Sequence, residues 1–136
     1  MKKAGLLFLV LVILGSYAIK DSEAAQWCWE FEGGGDYIKL SVIKPDSLYP
    51  FWSLNGVWYS PDSYVIPLVG TMVKSADGTE RVLTIYGTYY DTQAHAINAV
   101  IDAGTKNGTF HIHYIYLDSD LDFVINKVNC GAIPAP

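Results

Sequence analysis

In the stretch NGTFHIHYIYLDSDLDF, residues 107–123, His111 and His113 stand one residue apart and Asp118, Asp120 and Asp122 follow at alternate positions. Imidazole and carboxylate groups both bind metal ions, and alternate residues of a strand share a face. A third imidazole, His95, precedes them. If 94–102 and 108–116 form a hairpin in which opposed residue numbers sum to about 210, His95 lies opposite Ile115 and diagonal to His113. His95, His111 and His113 would then suffice for a three-imidazole metal site with one open position. The same face carries Ile97, Ala99, Ile101 and Ile115, so the alternative is structural histidines bonded among aliphatic side chains. The three aspartates match positions one, three and five of a calcium-binding loop. However, Phe123 falls where that loop needs glycine and Asn129 where it needs the closing glutamate, so the expectation is a polar turn.

The opposite face of the same hairpin points to a different chemistry. Phe110, Ile112, Tyr114 and Tyr116 fall on one side, and the 210 register sets them against Ala94, Ala96, Asn98 and Val100. Large rings opposite small residues either fill an interior or line a cavity in it. Without its first 25 residues the chain has four Trp, nine Tyr and four Phe, and all four Trp (27, 29, 52, 58) lie early. The candidate ligand-contacting residues are Trp52, Trp58, Tyr86, Phe110, Tyr114 and Tyr116.

Catalytic patterns are missing. The chain has no G-x-S-x-G elbow, no H-E-x-x-H and no glycine-rich phosphate loop. Glu30 and Glu32 share a strand face, as solvated carboxylates do. The sequence therefore predicts no enzyme and implies no cofactor.

These residues sit on elements with period two rather than 3.6. Alternation marks strands over 27–31, 37–43, 51–54 with 56–59, 65–74, 81–90, 94–102, 108–116 and 122–130. Between them lie turn-forming clusters: Gly33-Gly34-Gly35-Asp36, Lys44-Pro45-Asp46-Ser47, Ser60-Pro61-Asp62-Ser63, Ser75-Ala76-Asp77-Gly78, Asp91-Thr92-Gln93, residues 103–107 and Asp118–Asp120, while Asn55-Gly56 marks a tight turn or a bulge. The fold class is all-β: an antiparallel up-and-down meander of about eight strands, closed or nearly closed into a small barrel.

Two cysteines frame this region. Cys28 and Cys130 are expected to form a disulfide that makes the first and last strands neighbours, as a closing sheet requires. Ahead of them, Lys2 and Lys3 precede an apolar run from Ala4 that weakens towards Ile19, followed by a polar segment and Ala24-Ala25. That is the layout of a secretory signal peptide over residues 1–25, with residues 26–136 as a single all-β domain. The apolar run is short of the roughly 20 residues of a membrane span, so no stable anchor is expected after cleavage. Secretion or a periplasmic location follows. Beyond the leader there remain six Lys and Arg against twelve Asp and Glu, a balance that argues against nucleic acid as a partner.

Gly56-Val57-Trp58-Tyr59 resembles the G-x-W signature of lipocalin and avidin barrels, and Val69-Gly70-Thr71-Met72 and 86–91 resemble the Gly-Thr-aromatic rhythm of avidin strands. The likeness covers residues 56–91 and implies an up-and-down barrel with an internal ligand. It departs from those families in having a sheet segment, 27–43, ahead of the signature, and in having no tryptophan after Trp58. The three histidines resemble the ligand layout of animal-type carbonic anhydrases in that layout only. Three functional expectations follow: an exported barrel holding a small apolar or aromatic ligand inside; a protein-binding envelope or secreted module, such as an inhibitor, using exposed tryptophans; or a metal-binding protein using His95, His111 and His113.

Overall fold

The computed structural model describes residues 24–44, 50–89 and 93–136, and for 89, 93 and 94 the backbone alone. Residues 1–23 of the leader, most of the Lys44–Ser47 turn and the Asp91-Thr92 part of the next turn lie outside the described residues. Eight antiparallel strands form a closed barrel in sequence order: β1 (Ala25–Phe31), β2 (Tyr37–Ile43), β3 (Phe51–Ser60), β4 (Tyr64–Lys74), β5 (Glu80–Tyr89), β6 (Gln93–Asp102), β7 (Gly108–Tyr114) and β8 (Ser119–Val128). Closure comes from β1 pairing with β8, Cys28 opposite Val128 and Phe31 opposite Ile125.

The alternation read from the sequence is the alternation of the barrel wall. Ile38, Leu40 and Val42 of β2 point inward, as do Ile66, Leu68 and Met72 of β4 and Leu83 and Ile85 of β5. Trp29, Phe31, Phe110 and Ile125 complete a core whose side chains fill the interior from wall to wall. Each large apolar side chain removed from water contributes about 1.5–3 kcal/mol.

Turn chemistry sets the registers. In the β1–β2 loop Gly33, Gly34 and Gly35 all have φ between +78° and +97°, which only glycine adopts without strain. In the β4–β5 turn the Asp77 carboxylate accepts hydrogen bonds from Ser75 Oγ and from the Thr79 amide, and Gly78 has positive φ. In the β6–β7 turn Asp102 Oδ1 accepts from the amides of Gly104 and Thr105 and from the Thr105 hydroxyl.

The β6–β7 turn corrects the expected register. Opposed residue numbers sum to 209, with His95 facing Tyr114 and Ala99 facing Phe110. The physical reason is the apolar pattern itself. An odd sum puts Ile97, Ala99 and Ile101 on the same side as Phe110 and Ile112, giving one apolar interior; the even sum would have split them between core and solvent.

Strand boundaries in β3, β7 and β8 differ as well. β3 runs unbroken through Asn55-Gly56, paired on both sides, so that dipeptide is neither turn nor strand end. A Cβ on Gly56 would lie 1.9 Å from the Lys39 carbonyl oxygen of β2, so glycine is there for backbone approach. β7 stops at Tyr114, leaving Ile115 and Tyr116 in the turn, and β8 starts at Ser119 rather than Asp122 and ends at Val128, short of Cys130.

The disulfide forms as expected between Cys28 and Cys130, Cα atoms 5.2 Å apart. The chain after β8 then crosses the outside of the barrel. Tyr59, on the outer face of β3, is fully buried and donates its hydroxyl to the Pro134 carbonyl at 2.7 Å. Tyr37 stands beside it, ring centroids 5.6 Å apart.

A polar and aromatic cluster at one barrel mouth

One end of the barrel is formed by the β1–β2, β3–β4 and β7–β8 connections together with the start of β6. Alternation brings five inward-facing residues together there. Asp36 precedes β2 and keeps the parity of Ile38; Tyr64 opens β4 with the parity of Ile66; Trp58, His95 and Tyr114 point inward near the ends of β3, β6 and β7. The backbone holds Asp36 in place, since its carbonyl accepts from the Phe31 amide at 3.1 Å.

The Asp36 carboxylate organises this mouth. Its Oδ2 accepts a hydrogen bond from Trp58 Nε1 at 3.0 Å and a second, short one from the Tyr64 hydroxyl. Trp58 stacks on Phe31 below, centroids 5.6 Å apart, and its ring lies 5.8 Å from that of His95. The His95 ring meets Tyr114 edge-to-face at 4.7 Å. Leu121, half exposed, and the turn residues Ile115, Tyr116 and Leu117 add apolar surface at the rim.

Electrostatics here follow from burial beside one negative charge. Burial, then the hydrogen bond to Asp36, pushes the Tyr64 hydroxyl well above the usual tyrosine value. Burial and the charge of Asp36 also raise that of Tyr114. Desolvation lowers His95, which keeps its imidazole neutral at pH 7. His95 is only 4% exposed, and its Nδ1 has no hydrogen-bond partner among the described residues. Buried polar atoms are nearly always paired, so an orphaned one calls for a physical account.

Formal charge is unevenly distributed along the barrel axis. Glu32, Asp36, Asp62, Asp118 and Asp120 sit in or beside the connections at this mouth, and among the described residues no Lys or Arg does. Five of the six cations after the leader, Lys44, Lys74, Arg81, Lys106 and Lys127, belong to the opposite end. There Lys74 and Arg81 lie over the Trp52 ring at 5.6 and 5.9 Å, and Lys106 lies over Trp27 at 5.5 Å. Trp29 Nε1 donates to the Lys106 carbonyl at 2.7 Å and closes that end.

The six residues expected to contact a ligand therefore separate. Trp58 and Tyr114 meet at the mouth. Phe110 is buried in the core, and Trp52 is half-buried at the opposite end. Tyr86 faces outward on β5, 56% exposed, because it has the parity opposite to Leu83 and Ile85. Tyr116 lies in the β7–β8 turn, 70% exposed. Trp52 and Trp58 occupy opposite ends of β3 and share no exposed patch.

The three histidines separate as well. The 209 register sends His95 inside and leaves His111 and His113 on the outer surface, so the expected three-imidazole arrangement does not form. The outer pair instead forms a ladder with β8. His111 Nδ1 lies 2.6 Å from Asp122 and His113 Nδ1 2.8 Å from Asp120, each pair directly opposed across the strands. The hydrogen bond to Asp122 raises the His111 pKa. Among the described residues no group of three or more His, Cys, Asp or Glu is disposed to hold a metal ion.

Asp36 and Tyr64 were not among the residues singled out from the sequence. Asp36 follows three glycines and reads as a turn residue; only its parity with Ile38 marks it as inward-facing. Tyr64 could have been found the same way, by extending the β4 alternation one step before Ile66.

Fold and site together define a small, disulfide-tied antiparallel barrel with a filled interior and one acidic, aromatic mouth. The chain matches no protein-family profile, no curated protein and no solved structure. The G-x-W likeness is accordingly local, and Trp58 lies on the third strand of the barrel.

Proposed function

We propose that this protein is an exported binding module, not an enzyme, and that it takes a small ligand at the mouth framed by Asp36, Trp58, Tyr64, His95 and Tyr114. The observation that carries this reading is the buried His95 Nδ1 without a partner, set in an aromatic wall beside a carboxylate. Ligand sites combine mostly apolar lining with a few placed polar groups, and the mouth has that composition. The barrel middle does not, because its own side chains fill it. The reading thus moves the ligand from the interior to the end of the barrel.

Several features favour binding over catalysis. The hydroxyls of Tyr64 and Tyr114 are pushed up, which weakens them as nucleophiles, and among the described residues no carboxylate bonds His95 Nδ1 to orient it as a general base. The disulfide fits an oxidising compartment, in keeping with export.

The test is ligand screening by thermal shift and Trp fluorescence on the disulfide-bonded chain, repeated with Tyr114→Ala. A ligand at 100 times its Kd should stabilise the fold by about 2.7 kcal/mol. The reading requires that this shift shrink in the Tyr114 variant. A ligand whose effect is unchanged by Tyr114→Ala binds elsewhere and removes the mouth from consideration.

A further inference from the structure

Resting on the mouth as the binding site, we infer that its ligand is an amine: a primary or secondary ammonium group carried on an aromatic or aliphatic body. Three independent features of the mouth converge on that chemistry.

The first is the sign of the charge. Asp36 is an ionisable carboxylate inside the mouth, and among the described residues the connections around it carry Glu32, Asp62 and Asp118 with no Lys or Arg. An anionic ligand would meet repulsion from every side, and a cation attraction. Among the described residues both hydrogen bonds to the Asp36 carboxylate land on Oδ2, from Trp58 and from Tyr64, and none lands on Oδ1.

The second is the wall. Trp58, Tyr64 and Tyr114 present aromatic rings around that carboxylate; Trp58 and Tyr64 stand edge-to-face, centroids 6.1 Å apart. Ring faces attract cations most strongly where water is excluded. Aromatic rings with one carboxylate among them therefore favour an ammonium over a neutral or anionic group. Leu121 and the apolar turn residues 115–117 offer contact surface for the body of such a molecule.

The third is the orphaned nitrogen. With His95 neutral, the tautomer protonated at Nε2 has a lone pair on Nδ1 and no donor to fill it. An ammonium with at least two N–H groups can give one to Asp36 Oδ1 and one to His95 Nδ1. Such charge-assisted bonds are roughly twice as strong as neutral ones. A quaternary ammonium has no N–H to give, and this separates it from the proposed class.

The experiment uses matched sets that differ only in the head group: tryptamine, tryptophol and indole-3-acetate; phenethylamine, 2-phenylethanol and phenylacetate; octylamine, octanol and octanoate. Binding to the disulfide-bonded chain is measured by calorimetry at pH 7 in low salt. In at least one set the amine should bind ten-fold or more tightly than the alcohol, with no binding of the carboxylate. Asp36→Asn should remove that preference, so that in the variant the amine binds no more tightly than its alcohol. If Asp36→Asn does not fold, raising NaCl from 0.05 to 0.5 M on the unaltered chain should weaken the amine and not the alcohol. An alcohol or carboxylate that binds as tightly as its amine overturns the amine inference and leaves a ligand-binding mouth standing. Absence of binding in all three sets overturns both.

Discussion

Gly56→Ala puts a methyl group where the barrel has no space for it. The added Cβ would lie 1.9 Å from the Lys39 carbonyl oxygen and 2.9 Å from Leu40 Cα, both backbone atoms of β2. Real Cβ contacts do not fall below 3.0 Å, so β2 and β3 must separate locally by about 1 Å. A ladder hydrogen bond near 2.9 Å stretched by that much ceases to be one. The pairs on either side, Lys39 with Val57 and Ser41 with Asn55, are the first affected. Two lost bonds at about 1 kcal/mol each, partial desolvation without partners, and lost packing of Leu40 and Trp58 bring the cost to about 3–5 kcal/mol. That is a large share of the 5–15 kcal/mol typical of a whole domain. Urea denaturation followed by Trp fluorescence reads the difference directly. Two other glycines calibrate it. At Gly87 a Cβ would lie 2.7 Å from Leu68 Cδ2 and 2.9 Å from Ile66 Cγ2, buried side-chain rather than backbone atoms, so Gly87→Ala should cost about 1–3 kcal/mol. At Gly34 there is room but φ is +78°, so Gly34→Ala should cost about 1–2 kcal/mol. A Gly56→Ala protein within 1 kcal/mol of the parent, or more stable than Gly87→Ala, refutes the reasoning.

Further expectations concern the seam, the tail and the histidines. Replacing Cys28 and Cys130 by Ser, 102 residues apart, should lower stability by about 4–5 kcal/mol in the chain-entropy account, read from denaturation midpoints with and without reductant. Tyr59→Phe, which removes the hydroxyl donated to Pro134, should cost about 1 kcal/mol and speed hydrogen exchange in β3. In an NMR pH titration His111 should titrate above the ordinary value near 6.5 and fall back in Asp122→Asn, whereas His95 should titrate below it in both proteins. The signs of linkage are opposite. The contribution of His111, its pKa raised, is full below about pH 6.5 and is lost as pH rises through its folded value. The contribution of His95, its pKa lowered, is full above about pH 6.5 and is lost as pH falls through its folded value. A stability curve that does not change on that acidic side when His95 is replaced by Gln contradicts the assignment of a neutral, buried His95.

Much of the barrel was legible in the sequence because period-two alternation and turn residues are local signals. Ile38, Leu40 and Val42, the Gly33–Gly35 loop and the Ser75–Gly78 turn each declare themselves within a few residues. The two cysteines then closed the sheet. Gly56 was misread because a glycine needed for backbone approach and a glycine needed for a turn look alike along the chain; they differ only in what the neighbouring strand does. The mouth was partly legible. Trp58 and Tyr114 stood out as aromatics, but His95 was grouped with His111 and His113 through a register one residue off. The apolar residues already contained the correction, since Ile97, Ala99 and Ile101 share an interior with Phe110 and Ile112 only if the opposed numbers sum to an odd value. Asp36 gave no local signal, because its role depends on Trp58 and Tyr64, 22 and 28 residues away.

The most direct test of a ligand-binding mouth is a chemical-shift map. In ¹⁵N-labelled protein the ring nitrogens of His95, His111 and His113 and the indole Nε1 of all four tryptophans can be followed while the tightest-binding of tryptamine, phenethylamine and octylamine is added. The account predicts that His95 and Trp58 shift together and saturably, while His111, His113, Trp27 and Trp52 stay in place. Shifts confined to Trp27 and Trp52, at the opposite end of the barrel, would contradict it.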